Sequence, residues 1–142
     1  MTLLGTALLV VLDVTLGMWL GGMVFFSFVG APTTFDVLGD GAGQVVNAIF
    51  PKYYEFGSIL GFTAVSAAIL TWNQEVLDPT ATLFIQPLIL IALAATIYAQ
   101  ARLLPKMEAA GDDGFARYHK QSVVLNGVAM LAVAGALVLS HI

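Results

Sequence analysis

Four stretches of this chain carry almost no charge: Leu3–Gly30, Pro51–Trp72, Ala81–Leu104 and Ser122–Ile142. Each reaches the roughly 20 residues that a helix, rising about 1.5 Å per residue, needs to cross the hydrocarbon core of a bilayer. Inside hydrocarbon every backbone amide and carbonyl must find its partner within the protein, which leaves helices or closed barrels. Barrel strands alternate apolar and polar residues, and runs such as Leu88–Ala95 (LILIALAA) do not. The expected fold class is therefore all-α: a single-domain integral membrane four-helix bundle over residues 1–142. Composition points the same way. Hydrophobic residues make up 59 % and charged residues 10 % of the chain, against about 25 % charged in an average soluble domain, and the mean hydropathy is +0.92.

Helix breakers subdivide the pattern. Pro32 is expected to end the first span, and Pro51 to occupy the first turn of the second, where its missing N–H costs nothing. Pro87 lies inside the third span and predicts a kink or an open hydrogen bond. Trp72 and Tyr98 fall near span ends, the place of interfacial aromatics. Between the first two spans, residues 33–50 read as an interfacial segment, with Phe35, Leu38, Ala42, Val46 and Ile49 at helical spacing. The first span has no basic leader and holds Asp13, so it is not expected to be a cleaved signal.

The five basic residues are Lys52, Arg102, Lys106, Arg117 and Lys120, all flanking the first and third loops. The second loop, Asn73–Pro79, carries only Glu75 and Asp78. The positive-inside rule then implies a multi-pass cell-membrane protein with both termini outside. A net charge of −4 and a pI near 4.7 argue against a nucleic-acid partner. The absence of cysteine excludes disulfides, thiolate zinc sites, iron–sulfur clusters and cysteine nucleophiles. His119 and His141 would stand roughly 33 Å apart on one helix and cannot share a metal ion. No cofactor is expected. The GDGAG run at 39–43 lacks the lysine and hydroxyl of a phosphate-binding loop.

Two sets of side chains stand out as candidates. Asp13 falls mid-span, where a carboxylate costs on the order of 2.5–3.5 kcal/mol and calls for an interior position and a partner, for which Gln86 is the candidate. It reads either as a proton or cation relay or as a hydrogen-bonded group that fixes packing. The second set gathers at the basic end: Tyr54, Glu55, Arg102, His119 and Asn126, with Tyr53 and Ser122 beside them. Neighbouring Tyr53 and Tyr54 point about 100° apart, so only one is expected to face a shared vestibule, and Tyr54 is the choice. The set reads either as a solute-binding mouth or as interfacial anchoring with interhelical hydrogen bonds. Gly17 with Gly21 and Gly57 with Gly61 are small-xxx-small pairs, expected to let the first two helices pack closely.

Trp19–Phe35 (WLGGMVFFSFVGAPTTF), Phe50–Tyr54 (FPKYY), Ala101–Lys106 (ARLLPK) and Arg117–Asn126 (RYHKQSVVLN) together resemble the small membrane proteins related to animal transmembrane protein 205. The matching residues are Phe50, Pro51, Tyr54, Arg102, Pro105, Tyr118, His119 and Asn126. The resemblance implies a four-helix membrane domain. Through the association of animal members with platinum-drug resistance, it also implies export of sulfur-seeking metal complexes, although this chain has no cysteine.

The expected function is non-enzymatic: a transport or permeation module for a metal or small solute. Its partners would be the lipid bilayer and either further copies of itself or another membrane subunit. The alternatives are a structural or accessory subunit and, third, a haem-binding redox protein using His119.

Overall fold

The computed structural model describes residues 2–142, apart from the side chains of Asp112 and Asp113. All of its regular elements are helical, with no strand among the described residues. Helix α1 spans Leu3–Phe25, and a π-helical turn, Phe26–Gly30, passes it directly into α2, Ala31–Leu38. A single tight turn at Gly39–Gly41 leads into α3, Ala42–Asn73. Then come α4 (Pro79–Tyr98), a second π-helical turn (Ala99–Leu103), α5 (Leu104–Ala109) and α6 (Asp112–Leu139). Three continuous helical stretches are long and apolar enough to cross a membrane: Leu3–Asn73, Pro79–Ala109 and Gly114–Leu139.

The first of these stretches doubles back on itself. Gly39 has φ +52°, a conformation that side chains with a Cβ rarely adopt, and it reverses the chain so that α1 and α3 pack side by side. Helix α3 also packs on α4, α4 on α6, and α6 on α1. A buried seam of Leu12, Leu16, Trp19, Ala64, Ile89 and Val133 runs between the four. A second cluster, built on Val46, Phe50, Tyr54, Leu103 and Met107, fills the end where the first half of α3, the second π-helical turn, α5 and the start of α6 come together. The outer faces stay apolar: Phe62, Leu83, Leu90 and Leu131 are each more than half exposed.

The glycine pairs divide. A Cβ on Gly57 would lie 3.0 Å from the Trp19 indole nitrogen, and one on Gly61 would meet Leu93 at 2.7 Å and Trp19 at 2.9 Å. These two glycines make the slot into which α1 inserts its tryptophan. Gly17 and Gly21 face outward with nothing within 4 Å of a built Cβ, so the expectation that they pack helices one and two is corrected: the register of α1 on α3 is set by Trp19.

Three boundary expectations also change. Residues 33–50 are the end of one helical path and the start of the next, with Phe35 and Leu38 exposed but Ala42 and Val46 buried. Pro51 lies inside α3, not in its first turn. It is tolerated because Pro51 and Asn47, whose carbonyl loses its amide partner, are both on the exposed side. Helix α6 begins ten residues before Ser122, because Phe115, Tyr118 and His119 already supply it with a packed face.

The turn between α3 and α4 is tightly specified. Glu75 takes the left-handed conformation, φ 51°. Its N–H donates to the Trp72 carbonyl, and that of Val76 to Thr71: the Schellman pattern, with glutamate where glycine is usual. Asp78 then caps α4, accepting from the Thr80 and Ala81 amides at 2.8 and 3.2 Å, with Pro79 in the first turn. Those two amides hold the Asp78 carboxyl below its ordinary pKa.

Candidate functional site

A cavity of about 420 Å³ opens at the basic end of the fold. The π-helical turn and α2 form one wall, α6 the opposite wall, and α3 the floor. The π-helical turn widens the helix by one residue and brings Ser27 to the wall in the middle of an otherwise apolar run, FFSFVG. Such turns occur often at functional sites. From α3 come Phe50, Tyr53 and Tyr54, one turn apart or adjacent. From α6 come His119, Ser122 and Asn126, whose spacing of three and four puts them on one face.

Three of these side chains form a hydrogen-bonded chain across the cavity. The Tyr53 hydroxyl donates to Asn126 Oδ1, and Asn126 Nδ2 donates to Ser27 Oγ at 2.8 Å. Asn126 thereby ties α6 to both α3 and the end of α1. The Ser122 hydroxyl donates back to the His119 carbonyl at 2.7 Å and lies beside the Tyr54 hydroxyl. The His119 ring stacks on Phe115, with centroids 5.7 Å apart and planes 9° apart, and its Nδ1 is buried without a partner. Phe26 packs on Tyr53 at 4.8 Å between centroids and edge-on to Phe50 at 5.9 Å. Among the described residues, no Asp, Glu, Lys or Arg lines the cavity. A smaller void of about 20 Å³, sharing Tyr53, Tyr54 and Asn126, lies deeper against Trp19 and Thr96. It has room for one water.

Of the residues singled out in the sequence, Tyr54, His119 and Asn126 come together here. Glu55 and Arg102 do not: both are exposed, and neither makes an ion pair among the described residues. A neutral, aromatic-walled cavity offers a lone charge no compensation, so long charged side chains extend outward instead. The expectation that one tyrosine alone faces the site is also corrected. Both line it, because the cavity wraps around the α3 floor. Ser27 was not among the candidates. Its only sequence signal is a lone hydroxyl in an aromatic run.

The second candidate pair separates as well. Gln86 is half-buried on α4, but Asp13 is bound elsewhere. Its Oδ1 accepts from the Ser140 hydroxyl at 3.0 Å, and its Oδ2 lies 3.4 Å from His141 Nε2. Both partners follow the end of α6, at the end of the fold opposite the cavity, and the α1–α6 register is what selects them over Gln86.

No group of three or more His, Cys, Asp or Glu side chains able to hold a metal ion occurs among the described residues. No curated protein and no solved structure shows significant similarity to the chain. A family model does match, over residues 14–116, which takes in Ser27, Tyr53 and Tyr54 and stops short of His119 and Asn126. The chain belongs to that family, described as a domain of unknown function (DUF4149).

Proposed function

We propose that the protein crosses the bilayer four times, through α1, α3, α4 and α6, and binds a small solute in the basic-end cavity as a transport or permeation module. The observation that carries the reading is the cavity: about 420 Å³, within the range of small-molecule sites, mainly apolar with a few convergent polar groups. Four crossings are favoured over three because the Leu3–Asn73 stretch is 71 residues long. That is roughly 100 Å of helix against a core of about 30 Å, and it folds at Gly39 so that its halves pack together. The basic residues place the cavity end in the cytoplasm and both termini outside. The lining suits an organic solute better than a metal ion, since it offers one imidazole and no carboxylate. The transmembrane protein 205 resemblance belongs to this reading, and its Phe50, Tyr54, His119 and Asn126 all line the cavity.

One observation favours a second reading, an accessory subunit. The Gly17–Gly21 face of α1 is open, and a partner helix could approach it closely.

Binding is tested with a neutral naphthylamine dye and the protein in lipid nanodiscs. Gly127 lines the cavity, and a Cβ there would meet nothing within 4 Å, so Gly127→Phe fills the space without a clash at its root. Saturable dye binding, one per chain, is expected in the parent protein and its loss in Gly127→Phe. Equal binding by both would remove the cavity as the site.

A further inference from the structure

The hydrogen-bonded chain across the cavity has donors to spare. Tyr53, Asn126 and Ser27 together carry two hydroxyl and two amide hydrogens, and the two bonds between them use only two of the four. The orientation of the Asn126 amide does not alter the count. As placed, the Ser27 hydroxyl ends the chain; with the amide reversed, Tyr53 ends it. Either way one hydroxyl and one amide hydrogen remain, and no acceptor for them is found among the described residues. The serine and threonine hydroxyls of Thr15, Thr34, Thr63 and Ser66 all donate to a carbonyl one turn back. Ser27, in the π-helical turn, makes no such bond, and neither does Ser58 in α3. Unmet donors in apolar surroundings are costlier and rarer than unmet lone pairs.

The walls restrict what could satisfy those donors. Among the described residues, no fixed charge of either sign lines the cavity, so an ion would be left uncompensated there. Phe26, Phe28, Phe35, Phe50, Tyr53 and Tyr54 bring six phenyl and phenol rings to it, surfaces on which a planar ring packs well. Its outer margin runs through Phe28 and Val123, which are 69 % and 56 % exposed on the lipid-facing side and give an apolar tail a way out.

Resting on the small-solute reading above, we propose that the cavity takes a neutral, membrane-soluble carbonyl compound with a planar ring head group, of the quinone type. Its carbonyl oxygen accepts from the surplus donors of the Ser27–Asn126–Tyr53 chain.

The test is displacement of the naphthylamine dye from the full-length protein in nanodiscs by three probes with the same ten-carbon tail: a decyl-benzoquinone, decylbenzene and a decanoate ester. The benzoquinone should displace the dye at a concentration about tenfold lower than decylbenzene, the ratio that one net hydrogen bond of about 1.4 kcal/mol supplies, and at a lower concentration than the ester, which keeps the carbonyl but lacks the ring. The triple variant Ser27→Ala/Tyr53→Phe/Asn126→Leu removes donors and acceptors together, so it leaves no polar group stranded. Measured against its own dye affinity, the variant should show no preference for benzoquinone over decylbenzene, whereas Gly17→Ala, away from the cavity, should keep both dye and preference. Equal displacement by benzoquinone and decylbenzene would overturn the role of the donors while leaving the cavity a binding site. Equal displacement by the ester would overturn the ring. A preference that survives in the triple variant would overturn the assignment of the donors. If the parent protein shows no saturable dye binding, this inference falls together with the reading it rests on.

Discussion

Asp13 and Ser140 meet at 3.0 Å although 127 positions separate them in the chain. The contact fixes the height of α1 against α6: the carboxylate of α1 is level with the last turn of α6, not with its middle. The part of α1 before Asp13, which begins at Leu3, about 2.8 turns at 3.6 residues each, therefore extends past the end of α6, and Asp13 belongs to the rim opposite the cavity. Ser140 is 7 % exposed, and its single hydroxyl hydrogen is shared between Asp13 Oδ1 and the Leu137 carbonyl, so the acceptor at Asp13 completes a local network.

Asp13→Ala should lower the stability of the purified protein by about 1 kcal/mol, the net worth of one such bond. Asp13→Asn keeps an acceptor for Ser140 and should cost less. Thermal unfolding in detergent reads both. Equal losses would mean that charge, through His141, governs the contact rather than the hydroxyl.

The two glycine pairs make a paired comparison. Gly61→Ala places a methyl against Leu93 and Trp19 and should destabilise by about 1–3 kcal/mol, whereas Gly17→Ala meets open space and should be neutral or slightly stabilising through helix propensity. The same unfolding assay checks the pair, and a neutral Gly61→Ala would contradict the Trp19 slot.

Glu75 holds a left-handed conformation that costs an ordinary residue roughly 1–2 kcal/mol and glycine almost nothing. Glu75→Gly should therefore stabilise the protein, and Glu75→Val should destabilise it. Denaturant midpoints report the order.

Asp78 contributes a pH-dependent term. Its carboxyl is held below the ordinary value of 3.8 by the Thr80 and Ala81 amides. Its stabilising effect is thus complete above the unfolded-state pKa and disappears as pH falls through the lower folded-state value. Asp78→Asn, still able to cap but unable to titrate, should lose less stability between pH 5 and pH 3, about the range around an aspartate's pKa, than the parent chain. Parallel curves would show that the cap does not depend on charge.

The helical class and the apolar centre of each long helix were legible because uncharged runs of this length have few other solutions; the starts of α3 and α6 were not, because polar residues carry those helices on past the apolar runs. The close approach at Gly57 and Gly61 was legible for the same kind of reason, since it is written in i, i+4 residues, whereas the Asp78–Pro79 start lies in what the sequence marks as loop. What was not legible depends on register between helices. Asp13 could not be matched to Ser140, nor Gly17 and Gly21 turned outward, until Trp19 fixed how α1 rests on α3. The site was legible in part: Tyr54, His119 and Asn126 share it, but Glu55 and Arg102 were grouped with them by depth alone, and depth says nothing about which way a side chain turns. Ser27 stayed hidden because only the π-helical turn makes its hydroxyl available.

The four-crossing arrangement with the cavity end in the cytoplasm is open to one direct measurement, made easier by the absence of native cysteine. Single cysteines at Leu3, Thr80 and Gly111, all exposed positions, are treated in intact cells with a membrane-impermeant thiol reagent. Leu3→Cys and Thr80→Cys should label, and Gly111→Cys should label only after the cells are opened. Labelling of Gly111→Cys with protection of Thr80→Cys would invert the protein in the membrane, and opposite behaviour of Leu3→Cys and Thr80→Cys would contradict four crossings altogether.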